Sequence, residues 1–137
     1  MTAETAETAW AHLPNAQHID AVLADARKRP GAWDAARTAA RDAAWDAARD
    51  AAWDAAWDAA QCAAWGAAWG AAWDAARSVA WHAIHALIAW DSSADLLECT
   101  PDVLRAMVDL AEPPVCHQAA LLLPYAVVRS KAKQEVT

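Results

Sequence analysis

The sequence predicts an all-α protein, a compact helical bundle built on long Ala/Trp-rich helices and flanked by shorter amphipathic helices. A four-residue unit repeats through residues 33–90, with Trp or Arg first, usually Asp second, and almost always Ala in the last two positions. Ala has the highest helix propensity of any residue, and no Pro occurs between Gly31 and Thr100. A strand would need a two-residue alternation, which this repeat lacks.

The repeat period limits how these helices can pack. Four residues turn an α-helix by about 400°, so the Trp column drifts by roughly 40° per repeat. One straight helix over residues 33–90 would be about 87 Å long and would present Trp on every side. We therefore predict two shorter helices, roughly 31–60 and 64–90, that cross steeply with Trp ridges in Ala grooves.

Small residues near the middle of the repeats predict where the helices approach each other. Cys62, Gly66 and Gly70 fill three successive second positions, where Asp is the usual residue. A close helix crossing admits neither a charge nor a large side chain, so we expect a crossing there. The alternative is that Asp was lost by chance on an exposed surface.

The rest of the chain is expected to complete a single domain around the repeats. The predicted divisions are a loose leader at 1–13, the repeat region at 33–90, C-terminal helices at 91–128 and a solvated basic tail at 129–137, all within one domain of residues 1–137. Trp10 and Leu13 are expected to anchor the leader. Asn15 is expected to cap the first helix, and Pro124 to kink or restart the last one.

A further helix begins at the sequence Thr100-Pro101-Asp102, which combines an N-cap, a first-position Pro and an acid in the first turn. Its apolar residues are expected to help cover the Trp-rich helices; they are Val103, Leu104, Met107, Val108 and Leu110.

Composition restricts the class of function. The net charge of −7 argues against direct DNA binding and against binding to an anionic membrane. Three cysteines without metal-ligand spacing indicate reduced thiols, and no long uncharged apolar run is present. We expect a cytoplasmic protein that needs no cofactor and does not associate with a membrane.

Acidic residues recur every four positions in the first half of the repeats. They are Asp42, Asp46, Asp50, Asp54 and Asp58. Like charges four apart on a helix repel each other by a few tenths of a kcal/mol. The row is typical of a solvated face, with Arg41 and Arg49 offsetting part of the repulsion. It could also bind a basic partner or a divalent ion, or imitate the phosphate spacing of a nucleic acid.

Trp and Arg interleave along the same stretch and form a candidate ligand or partner surface. Its residues are Trp45, Trp53, Trp57, Arg41 and Arg49, together with Asp46, Asp50 and Asp54. Such a set could stack a nucleotide base and hold its phosphate. The simpler interpretation is that Trp forms the core, with Arg lying along it.

Signals for catalysis or metal binding are weak. His82 and His85 lie three apart and could bind a metal together with Cys62 or Cys116, but no set of four ligands is apparent. Adjacent Cys116 and His117 cannot share a helix face, and no phosphate loop or Ser-based motif is present. We therefore expect a non-enzymatic protein.

The repeated Trp-Asp-Ala-Ala and Arg-Asp-Ala-Ala units and the run Ala86-Leu87-Ile88-Ala89-Trp90-Asp91 resemble a group of uncharacterised bacteriophage and bacterial proteins. The resemblance extends over roughly residues 14–124. It implies no established activity, but it favours a phage accessory protein that binds a host component.

These observations predict a helical interaction protein that binds itself or a host protein. The alternatives are a nucleotide-binding protein and an acidic nucleic-acid mimic. A homodimer is expected, because the drift places Trp on more faces than roughly 80 flanking residues can cover.

Overall fold

The computed structural model describes residues 10–11, 13–41, 43–59, 70 and 80–136. Within these ranges the chain forms α1 (Ala16–Lys28), α2 (Pro30–Ala40), α3 (Ala43–Ala59), α4 (Ala80–Ala89), the 3₁₀ helix η1 (Asp91–Leu96), α5 (Pro101–Leu110) and α6 (Val115–Val136). None of these residues lies in a strand, and the predicted all-α bundle is confirmed.

The C-terminal helix α6 is the centre of the bundle. It contacts α2, α3, α4, α5 and η1, whereas α1 packs on α2 and α4. A fully buried run, Leu121-Leu122-Leu123, lies in its middle. An apolar segment that is buried all round suits a helix with neighbours on several sides.

The tetrad repeats do not form the single helix predicted for residues 31–60. Arg41 adopts an extended conformation with ψ 118° and separates α2 from α3. On one straight helix Trp45 would be rotated by about 120° from Trp33. The break at Arg41 compensates this rotation, so that both Trp side chains face α6. Trp33 contacts Tyr125 of α6, and Trp45 reaches Ala120 of the same helix.

A side chain from another helix satisfies the backbone at this break. Arg105 of α5 donates hydrogen bonds of 3.2 Å to the carbonyls of Ala39 and Ala40, at the end of α2. The last carbonyls of a helix have no donor within the helix, and a cation there also suits the helix dipole. The break at Arg41 therefore depends on a tertiary contact.

The predicted drift of the Trp column is visible within α3. Trp45 is buried, Trp53 is partly buried and Trp57 is 46% exposed. At about 40° per repeat, Trp57 should lie about 120° from Trp45. Ala52 and Ala56 lie within about 20° of Trp45 on the same projection, and both are fully buried.

The close crossing predicted at Gly70 is wrong. Gly70 is helical and exposed, and a Cβ atom built on it would meet no atom of the described residues within 4 Å. A helix crossing that excludes side chains would leave no such space. Cys62 and Gly66, the other two residues of this prediction, lie outside the described residues.

Asn15 begins α1 but does not cap it with its side chain. Its amide instead donates to the carbonyls of Leu87 at 3.0 Å, Asp91 at 3.1 Å and Trp90 at 3.3 Å. Asn15 is buried and closes the C-terminal end of α4. Asn15 therefore holds the predicted N-cap position but makes no capping hydrogen bond, and the contacts of its amide with the end of α4 fix the side chain instead.

The two ends of the described chain differ in how well they were predicted. Trp10 and Leu13 are buried as expected, and the Trp10 indole donates to Asp20 at 2.8 Å. The basic tail expected from residue 129 onward is helical as far as Val136, and Lys131 and Lys133 on it are exposed. Arg129 pairs with Glu98 at 2.7 Å and also donates to the Leu97 carbonyl.

Helix α5 begins as predicted, with the Thr100 side chain accepting from the Val103 backbone N–H. Its expected role as apolar cover is only partly correct. Leu104 is buried, but Val103 is 44% and Leu110 is 84% exposed.

Candidate functional site

Two helices that carry tetrad repeats, α3 and α4, meet in a cluster of indole and imidazole rings. Trp53 lies with its ring centroid 4.8 Å from that of His85 and 5.4 Å from that of His82, both edge-on. Trp81 stacks on His85 at 5.4 Å, and Trp45 meets the edge of His82 at 6.3 Å. The drift brings these rings together because Trp45 and Trp53 differ by only about 80° around α3.

This cluster holds both histidines in the neutral form. Burial and, to a smaller extent, the nearby positive charges of Arg49 and Arg37 lower the pKa of His82 from 6.5 to about 4, while Asp50 opposes them. Burial lowers the pKa of His85 to about 2, with a smaller contribution from His82. Neutral imidazoles among indoles serve as packing groups at neutral pH.

A metal site at these histidines gains no third ligand from the described residues. No group of three or more His, Cys, Asp and Glu side chains is placed to hold a metal in those ranges. Cys116 is partly exposed on α6, and Cys62 lies outside the described residues. Among the described residues the buried Nδ1 atom of His82 has no hydrogen-bond partner, which suits a histidine held by ring contacts.

Arg49 covers the inner half of the predicted surface. Its guanidinium lies 5.2 Å from the Trp45 ring centroid and pairs with Asp50 at 2.9 Å and Asp46 at 3.9 Å. Arg41 lies 3.8 Å from Asp46. The structure therefore places Trp45, Trp53, Arg49 and Asp46 in internal contacts, and any ligand that stacks on Trp45 would first have to displace them.

The outer side of α3 is different. Trp57 is 46% exposed, and Asp50, Asp54 and Asp58 are exposed on the same side of the helix. At about 100° per residue, these four residues lie within a sector of roughly 100° on the side of α3 away from α6. We call Asp50, Asp54, Trp57 and Asp58 the Trp57 face.

The sequence identified most of this face but did not separate it from the core. Trp45 and Trp57 occupy equivalent positions in the repeat, and only their rotation about α3 distinguishes them. Asp58 was part of the acidic row but not of the candidate surface. The 40° drift could have assigned it, since Asp58 follows Trp57 directly and lies next to Asp54 around the helix.

The chain was compared with protein families, curated proteins and solved structures. No family model, curated protein or solved structure matches it. The resemblance to tetrad-repeat phage and bacterial proteins therefore stays an expectation. Within the ranges that the structure describes, no helix combines the length and apolar character needed to cross a bilayer.

Proposed function

We propose that this chain is a non-enzymatic interaction protein that binds a basic segment of a partner protein through the Trp57 face. One observation carries the proposal: a Trp that is 46% exposed, on the same side of one helix as three exposed acidic residues. Every other Trp in the described ranges is more buried than Trp57.

The chemistry of this face favours a Lys- or Arg-rich segment. An indole attracts a cation above its ring, and the surrounding carboxylates favour the same charge. Trp is also among the residues that contribute most to binding energy at protein interfaces. Arg49 neutralises Asp50 in part, whereas the described residues place no cation within ion-pair distance of Asp54 or Asp58.

The cellular setting of the proposal follows from the sequence. The resemblance to phage and bacterial tetrad-repeat proteins favours an accessory protein that binds a host component, in the host cytoplasm if the gene belongs to a phage. The net charge of −7 supports a basic partner and disfavours nucleic acid.

Affinity capture from a bacterial lysate tests the proposal. The wild-type chain should retain a basic protein that elutes at high salt, because salt screens exposed charges. Trp57→Ser and the double variant Asp54→Asn/Asp58→Asn should each lose it. Asp34→Asn is the matched control, because Asp34 is an exposed acid of the same repeat on α2. Retention by the Trp57→Ser variant would contradict the proposal.

A nucleotide-binding protein is the alternative function, and it needs a different test. The rings of Trp45 and Trp53 contact His82 and His85, so a base would have to bind at Trp57 or open the cluster. Thermal shift by several degrees with a nucleotide, abolished by Arg49→Ala, would favour this alternative. An acidic nucleic-acid mimic would instead compete with DNA for its basic partner.

The homodimer stays a prediction, but fewer Trp side chains are left uncovered than the sequence argument for it assumed. Four of the seven described Trp side chains are buried, namely Trp10, Trp33, Trp45 and Trp81. Two copies that met through the Trp57 face would bring like charges together. Light scattering during gel filtration determines the state, and a dimer that survives Trp57→Ser must use another surface.

A further inference from the structure

Helix α5 carries a second apolar stripe on its exposed side. Val103, Ala106, Met107 and Leu110 follow the spacing i, i+3, i+4, i+7, which places them within a sector of about 100°. Val103 is 44% and Leu110 is 84% exposed, Ala106 is exposed, and Met107 is partly buried against the core beside them. Single exposed apolar residues are common on protein surfaces, but a stripe at this spacing is typical of a binding face. We call these four residues the α5 stripe.

The stripe is acidic along one edge. Asp102 and Asp109 are exposed and lie about 100° and 120° from Val103, on the same side of the helix. Asp102 suits the first turn of α5, where a carboxylate interacts favourably with the helix dipole. Asp109 lies in the last turn, where the dipole opposes a negative charge, so a cation at this edge would relieve that repulsion.

We infer that the α5 stripe binds an amphipathic helix of another protein, with the apolar side of that helix on the stripe and Lys or Arg residues along Asp102 and Asp109. Four apolar positions over two turns match the anchor spacing of helix recognition. A ten-residue helix is only about 15 Å long, so the stripe is much smaller than the roughly 800 Å² per partner of a stable interface. It therefore suits a short, reversible partner helix.

Charge argues against a second copy of this chain that docks antiparallel on the stripe. An antiparallel two-fold pairing of α5 would place Val103 opposite Leu110 of the copy. The same edges would then face each other, and Asp102 would lie near Asp109 of the copy. Like charges across an interface disfavour that pairing, whereas a basic edge on the partner removes the repulsion.

A labelled synthetic helix tests this inference by fluorescence anisotropy. The probe is an amphipathic peptide of about 14 residues, long enough to hold some helix, with Leu at the four anchor positions and Lys along one edge. A matched peptide carries Glu in place of Lys. We expect binding of the Lys peptide that weakens with salt, and much weaker binding of the Glu peptide.

Protein variants assign the binding to the stripe. Leu110→Ser should weaken binding of the Lys peptide by roughly tenfold, as loss of an interface anchor does. Asp109→Asn should weaken it by about threefold and reduce its salt dependence. Trp57→Ser removes any binding of the peptide at the Trp57 face and should leave the Leu110-dependent binding unchanged. Leu110 is highly exposed, so its variant should keep the wild-type circular dichroism spectrum, which checks folding.

Three results would overturn the inference: no binding of the Lys peptide, equal binding of the Lys and Glu peptides, or full binding by the Leu110→Ser variant. A peptide lost with Trp57→Ser but kept with Leu110→Ser would assign it to the Trp57 face, which contradicts this inference and supports the proposed function. A homodimer that Leu110→Ser converts to a monomer would show that a second copy occupies the stripe.

Discussion

The indole N–H of Trp45 donates a 2.8 Å hydrogen bond to the backbone carbonyl of Ala120, across the interface between α3 and α6. Ala120 stands four residues before Pro124, which lies inside the continuous helix α6. Pro has no N–H, so the Ala120 carbonyl lacks its usual donor within the helix. Trp45 supplies the missing donor and fixes the rotation of α3 against α6.

This relationship predicts a coupling between Trp45 and Pro124. Trp45→Phe should lower the free energy of unfolding by about 1–3 kcal/mol beyond its packing loss, because a buried carbonyl then has no donor. In a Pro124→Ala background the restored backbone N–H can donate to the Ala120 carbonyl. Trp45→Phe should then lower the free energy of unfolding by about 1–2 kcal/mol less. Urea denaturation of the four proteins measures the coupling.

Trp10→Phe provides the control for this cycle. Trp10 is also fully buried, and its indole donates to Asp20 rather than to α6. Trp10→Phe should lower the free energy of unfolding by the same amount with Pro or Ala at position 124, since the effects of distant substitutions add. If Trp45→Phe lowers the free energy of unfolding equally with Pro or Ala at position 124, Trp45 does not replace the donor that Pro124 lacks.

The substitution Asn15→Asp distinguishes two roles of this side chain, capping of α1 and donation to carbonyls at the end of α4. As an N-cap of α1, Asn15 could be replaced by Asp with little loss, because both cap well. In the structure its amide donates to carbonyls at the end of α4, where a carboxylate would repel them. Asn15→Asp should therefore destabilise the protein by about 2 kcal/mol or more, and at least as much as Asn15→Ala. Chemical denaturation of both variants at pH 7 decides between the two roles.

The buried histidines predict a loss of stability in mild acid. The unfolded chain binds protons below a pKa of about 6.5, whereas folded His82 resists protonation down to about 4 and His85 down to about 2. The unfolded state then holds more protons, so stability falls as the pH decreases from 6.5 to 4. Each histidine contributes a slope of up to about 1.4 kcal/mol per pH unit.

Denaturation at pH 7 and pH 5 measures this slope. The comparison stops at pH 5 because most carboxylates remain ionised there. A variant with His82→Gln and His85→Gln should lose most of the difference between the two pH values, and His18→Gln is the control at an exposed histidine. An unchanged slope in the double variant would mean that these histidines are not held neutral.

The structure reverses the expected effect of Gly70→Ala on stability. A close crossing would make Gly70→Ala destabilising through overpacking. Because Gly70 is helical and exposed with open space at its Cβ, the variant should instead be stabilised by about 1 kcal/mol. The midpoint of urea unfolding shows the sign. Gly66→Ala, outside the described residues, keeps its predicted destabilisation of roughly 1–3 kcal/mol.

The features that could be predicted from the sequence are those that depend on local chemistry. Ala content determines helix, and the 40° drift accounts for the burial of Trp45 and the exposure of Trp57. The capping signal at Thr100 is likewise local and is confirmed. These arguments need only the geometry of a single helix.

Several features that the sequence did not predict depend on contacts between distant segments. The break at Arg41 is completed by Arg105, whose sequence position gives no sign of this contact. The amide of Asn15 is taken by carbonyls more than 70 residues away. The end of α6 is held by the contacts of Arg129 with residues 97 and 98. A single sequence does not report which chain segment supplies a partner.

The candidate surface likewise combines features that a single helix determines with features that distant contacts determine. The acidic row and the Trp column were recognisable as patterns, but packing on α6 determines which of their residues face outward. Contacts with His82 and His85 remove Trp45 and Trp53 from the surface, and their ring packing could not be read from a histidine pair at i, i+3.

Acrylamide quenching of Trp fluorescence shows whether Trp57 contacts a basic partner. The difference between wild type and Trp57→Phe isolates the emission of Trp57, which should be readily quenched in the free chain because the side chain is 46% exposed. We predict that the basic protein captured by the wild-type chain shields this emission, so that quenching falls to the level of Trp57→Phe. Unchanged quenching of Trp57 at saturating partner would show that the partner does not cover Trp57 and would contradict the proposed function.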